Sequence, residues 1–132
     1  MPFNLKSLTA PSRFFWPGSD EWIELRNVTL AEFKAIRKQT VTKRAEYHQI
    51  NNEKPFRYDV EDTDEDKADE LLWDYQIAAW NIVDDNGKKI KCTKENKLLL
   101  MGNSSEFVTF VVKNLNQLAK DDAARQEKSE KN

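Results

Sequence analysis

The sequence predicts an α+β fold, mostly helical, in a single domain with a small antiparallel sheet or hairpins, a flexible N-terminal arm and a charged tail. Three observations lead there. Apolar residues recur at helical spacing behind capping residues in four segments, strand-like alternation flanks turn-forming residues in others, and the chain is too short for more than one core. It has 132 residues, 39% of them hydrophobic, with four Trp, three Tyr and seven Phe, enough large side chains to fill one domain.

The elements follow in chain order. Residues 1–12 carry two prolines and no sustained period, so they are expected to form an arm. Phe14, Phe15 and Trp16 are consecutive aromatics closed by Pro17-Gly18, a turn-forming pair. From Trp22 to Val28 the apolar residues alternate, placing Ile23 and Leu25 on one face of a strand. Thr29 and Glu32 have capping-box spacing and open a helix with Leu30, Phe33 and Ile36 on its apolar side. Two extended stretches, 44–50 and 56–61, flank Asn51-Asn52-Glu53-Lys54-Pro55 and predict a hairpin.

Asp62 and Glu65 repeat the capping-box spacing, and a helix is expected from about Asp64 to Trp80. Its apolar stripe holds Ala68, Leu71, Leu72, Tyr75 and Ala79, widened by Trp73, Ile77 and Trp80. Asp84-Asp85-Asn86-Gly87 reads as a turn between Ile82-Val83 and Ile90–Cys92, with Asn-Gly suited to a type I′ geometry. Thr93 caps a short helix that Gly102 is placed to end, and Ser104 or Ser105 caps a last helix burying Phe107, Val108, Val111, Val112, Leu115 and Leu118. Residues 121–132 have no apolar stripe and are expected to fray, leaving 13–120 as the globular part.

Composition narrows the function. The single cysteine, Cys92, forms no internal disulfide and no apolar leader opens the chain, which points to the cytoplasm. No apolar run approaches the roughly 18 residues of a membrane helix. His48 is the one histidine, so a nucleophile–base pair or a zinc site with Cys92 lacks partners. The acids at 59–70 suit a helix start without a metal, and three glycines spread along the chain form no phosphate cradle. No enzyme and no cofactor is expected.

A net charge of −2 hides an asymmetry: Lys34, Arg37, Lys38, Lys43, Arg44, Lys54 and Arg57 precede an acidic stretch from Asp59 to Asp74. The basic block suits either pairing with those acids or phosphate contact. The aromatic cluster likewise admits two readings, closure of the core or anchors for a partner. The last helix is apolar from Phe107 to Val112 over more than one face. The candidate partner-binding residues are therefore Phe14, Phe15, Trp16, Trp22, Phe107, Phe110, Val111 and Val112.

The segments PSRFFWP at 11–17, WIELRNVTLAEFK at 22–34, LLWDYQIAAW at 71–80 and DNGKKIKCTKENK at 85–97 resemble the small tail assembly chaperones of long-tailed bacteriophages and prophages. The likeness spans roughly 11–118. It implies a non-enzymatic protein of the host cytoplasm that coats the tape-measure protein before the tail tube polymerises and meets tail tube subunits; self-association is a further expected partner mode. Two other readings stay open: a connector or tail-completion protein forming a ring, and a small nucleic-acid-binding regulator using the basic block.

Overall fold

The computed structural model describes residues 10–130 and has the order β1 (Ser12–Phe15), β2 (Trp22–Leu25), α1 (Leu30–Thr40), β3 (Val41–His48), β4 (Phe56–Thr63), α2 (Glu65–Gln76), β5 (Ile77–Trp80), α3 (Lys94–Asn103) and α4 (Ser105–Glu130). This is the α+β composition expected, with helices dominant. The expected arm lies outside the described residues up to Thr9, and Ser12 already belongs to a strand. Backbone contacts group the chain into two compact units. One holds the residues up to Thr29 and from Trp73 onward, the other Leu30–Leu72.

The first unit is built on an antiparallel sheet ordered β1-β2-β5. Period two places Ile23 and Leu25 of β2 inward, as the alternation predicts, where they join Ile77, Trp80, Met101, Phe107 and Val111 in one buried cluster. The turn at Pro17-Gly18 closes β1 onto β2: Gly18 takes a φ of 73°, and Trp16 N–H donates to the Glu21 carbonyl at 2.8 Å.

The expected helix to Trp80 stops at Gln76, and its last four residues become β5. Leu25 pairs with Ile77 while Glu24 pairs with Ala79, so Ala78 is an extra residue in a bulge. The bulge lets Ile77 and Trp80, three positions apart, both point into the core. That i, i+3 spacing imitates a helix, and only pairing with a strand more than fifty residues away reveals it. The Trp80 indole N–H then donates to the Ile90 carbonyl at 2.7 Å.

The Asp84–Gly87 turn forms with Gly87 alone in the left-handed region, φ 77°, so it is a type I turn ending in a left-handed glycine and not type I′. Asp84 Oδ1 accepts from the backbone N–H groups of Asn86 and Lys88, both at 2.9 Å. Val83 bridges Lys89 beyond it.

Thr93 caps α3 as expected, its hydroxyl accepting from Asn96 N–H at 3.2 Å. Gly102 does not end the helix: it stays helical, and Ser104 closes the last turn through its N–H to Leu100 O at 3.0 Å. The Ser104 hydroxyl accepts from Phe107 N–H at 3.2 Å and caps α4. Helix α4 continues to Glu130, past the expected fraying at about Lys120. Ala, Lys, Gln and Glu there have high helix propensity without an apolar stripe, Gln117 bonds Asp121 one turn on, and Asp122 accepts from the Asn27 side chain. The last two residues of the expected tail lie outside the described residues.

The second unit holds α1, the β3–β4 hairpin and the start of α2. The expected face of α1 is only partly covered: Ile36 is buried with Thr40, while Leu30 and Phe33 are largely exposed. The Thr40 hydroxyl is satisfied by donating to Ile36 O at 2.8 Å. The hairpin pairs Val41 with Thr63 through His48 with Phe56 without interruption. Asp64, and not Asp62, caps α2, accepting from Lys67 N–H at 3.2 Å. No residue of α2 is fully buried; Ala68, Leu71, Leu72 and Tyr75 are half-buried.

Candidate partner-binding surface

Strand period divides the aromatic cluster at Phe14–Trp16 between two faces, one packed on the core and one exposed. Phe14 lies opposite Ile23 and packs against the core cluster. Trp16, on the same side, rests on Phe110 of α4 with ring centroids 4.7 Å apart. Phe15 lies opposite Trp22 on the outer face and is 59% exposed. The Arg13 guanidinium covers the Trp22 ring at 3.7 Å while pairing with Glu24 at 2.9 Å, an arrangement that shields the half-buried indole.

Helix α4 divides its candidates just as sharply. Phe107, 4% exposed, meets the Trp80 ring edge-on at 6.0 Å, and Val111 is 1% exposed. Both are core residues and drop out of the partner-binding set. Phe110 is half-buried under Trp16, and Val112, expected on the buried side, is 46% exposed. The wide apolar stretch therefore meets two environments, because 107 and 111 lie one turn apart over the sheet while 112 has rotated away.

Between the turn after β1 and the first turns of α4 lies an open groove of about 470 Å³, lined by Trp16, Pro17, Ser105, Glu106, Thr109, Phe110 and Lys113. Its floor is aromatic and its rim carries one acid and one base. The sequence reading found Trp16 and Phe110 but missed Pro17, Ser105, Glu106, Thr109 and Lys113. The signal for them was the row at i, i+4, i+8 (105, 109, 113), which adjoins 106 and 110 on a helix. The second unit has a groove of about 360 Å³, with Phe33, Ile36, Val41 and Ala68 among its lining and the Arg37–Glu61 pair at 3.0 Å beside them.

The basic block is largely spent on neighbouring acids. Arg37 and Lys43 reach Glu61 at 3.0 and 4.0 Å, Arg44 reaches Asp62 at 2.6 Å and also contacts Glu46, and Arg57 reaches Asp59 at 3.5 Å. The Tyr58 hydroxyl donates to Glu46 Oε2 at 2.7 Å. This bond first, and Arg44 second, hold the Glu46 carboxyl below its ordinary pKa, and the bond to Glu46 raises that of Tyr58.

Among the described residues His48, Cys92 and Lys97 lie apart from any shared site geometry. His48 is exposed and stands edge-on to Phe56 at 5.6 Å. Burial pushes the Cys92 thiol above its usual pKa despite nearby Lys97, opposite to the shift that activates a nucleophile. Lys97 is buried and donates to the Asp74 carbonyl at 2.9 Å and to its carboxylate at 3.1 Å, which ties α3 to the end of α2. Among the described residues no three His, Cys, Asp or Glu side chains come together as a metal site, and no helix is long and apolar enough to cross a membrane. No protein-family model, curated protein or solved structure matches the chain.

Proposed function

We propose that this chain is a non-catalytic binding protein that holds a helical segment of a client in the Trp16–Phe110 groove, acting as a tail assembly chaperone in the cytoplasm of a phage-infected host. The client is the tape-measure protein, and tail tube subunits are the second partner. The observation that carries the reading is the open groove itself, with an aromatic floor and oppositely charged Glu106 and Lys113 on its rim. An amphipathic helix laid into such a groove buries one apolar stripe and meets both charges with its own flanking residues. Phe15 and Val112 add exposed apolar surface on the same unit. The sequence resemblance points to the same class of client. The ion pairing of Arg37, Lys43, Arg44 and Arg57 weighs against phosphate binding, because a contact from any of these four to nucleic acid competes with an existing pair.

The test is co-expression with any large helix-rich protein encoded just downstream, followed by affinity capture and mass determination. Several copies per client are expected, and Phe110→Ser together with Trp16→Ser should abolish capture while the circular dichroism spectrum is retained. A stable ring of this chain alone, with no client captured, would replace the chaperone reading by a structural virion component.

A further inference from the structure

The β3–β4 hairpin offers a second contact, in the other unit and independent of the groove. Within its ladder Asp64 N–H donates to Thr40 O at 2.8 Å, in line with the Val41–Thr63 register. In an antiparallel pair the direction of the backbone groups alternates. Even-numbered residues of β4 therefore turn their N–H and C=O toward β3, and the odd-numbered Arg57, Asp59, Glu61 and Thr63 turn theirs away. Among the described residues β4 pairs with β3 alone, and Phe56, Arg57, Tyr58 and Asp59 are all exposed. Pro55, also odd, presents no N–H at the tip end of this edge. Proline is tolerated there, and it limits how far another strand can extend.

We propose that two copies of this chain pair through β4, antiparallel and two-fold symmetric about Tyr58. Only odd residues present outward groups, so odd must face odd, and few registers remain. Centring the axis on Tyr58 sets Arg57 opposite Asp59 of the second copy twice over, and Phe56 opposite Val60 twice over. Moving it one residue back sets Arg57 against Arg57, and one residue forward sets Asp59 against Asp59. The chosen register alone of these three makes both charge pairs attractive, and it gathers Phe56, Tyr58 and Val60 of both copies into one apolar row on one face. The contact is isologous and closes at two copies on this edge. Such an edge pairing uses main-chain bonds for affinity and side chains for register.

Sedimentation equilibrium of the full chain tests this, at loadings raised toward the millimolar range because interfaces below about 1,200 Å² are weak. A monomer–dimer equilibrium is expected. Arg57→Asp and Asp59→Arg should each weaken it about tenfold, since each turns two attractive pairs into repulsive ones. Mixing the two variants should restore a dimer of one chain of each kind, in which both acids of the first variant face both arginines of the second. Recovery on mixing is not explained by damage to either fold.

A second measurement uses Tyr58→Cys in a Cys92→Ser background. Tyr58 forms a non-hydrogen-bonded pair across the axis, where Cα atoms lie about 4.5 Å apart, within the span of a disulfide. Mild oxidation should yield a covalent dimer. A wild-type monomer at every loading, charge variants that each dimerise as strongly as wild type, or absence of the crosslink would overturn the proposal.

Discussion

Val111 and Val112 are neighbours of identical chemistry in α4, 1% and 46% exposed, and truncating each to alanine separates the core from the surface of this helix. At Val111 two methyl groups leave a site packed by the sheet, forfeiting about 1.6 kcal/mol at ~0.8 kcal/mol per group. The cavity left behind adds up to a comparable amount, for a total of roughly 2–3 kcal/mol. At Val112 about half of the transfer free energy is absent because the side chain already meets water, and the higher helix propensity of alanine offsets part of the rest. A net change within about 0.5 kcal/mol is expected there. Urea unfolding followed by tryptophan fluorescence reads the difference, since Trp80 belongs to the same cluster as Val111. With a slope of roughly 2 kcal/mol per molar urea, the Val111→Ala midpoint should fall by about 1 M relative to Val112→Ala. Equal midpoints, or the reverse order, would refute the assignment of Val111 to the core and with it the orientation of the groove face.

Lys97→Ala should cost about 1–3 kcal/mol in the same assay, less than a fully buried pair because the Asp74 side chain is 37% exposed. Gly87→Ala meets no atom within 4 Å, so its cost is conformational alone, about 1 kcal/mol for an alanine held at positive φ, and it should appear as a midpoint shift without loss of fold. Cys92 should alkylate more slowly than a free thiol at pH 8, measured by mass spectrometry with iodoacetamide, because burial raises its pKa. The linked effect on stability has a definite sign: above the unfolded thiol pKa, near 8.5, the unfolded chain binds fewer protons than the folded one, so stability falls as pH rises. Cys92→Ser should remove that alkaline slope.

Much of the candidate surface was readable as residue type but not as orientation. Three aromatics in a row, Phe14–Trp16, declare that something must cover them, yet only the pairing of β1 with β2 decides that Phe14 and Trp16 face the helix and Phe15 faces out. Pro17, Ser105 and Lys113 carry no signal by themselves. They became a groove wall because the β1 turn and α4 meet, a contact between residues roughly ninety positions apart.

Local chemistry in the sequence determined the capped starts of α3 and α4 at Thr93 and Ser104, the β3–β4 hairpin, the Asp84–Gly87 turn, the inward face of β2 and the mixed α+β class. Each follows from spacing within a few residues, where capping, turn geometry and side-chain period operate. Tertiary structure decided what those short ranges leave degenerate. Ile77 and Trp80 fit a helix stripe as well as a bulged strand, and hydrogen bonding to β2 selects the strand. Leu30 and Phe33 have the spacing of a buried face, but their burial needs a covering element, and the second unit supplies one for Ile36 and Thr40 only. Apolar spacing specifies which side chains share a face; which faces are covered depends on contacts distant in sequence.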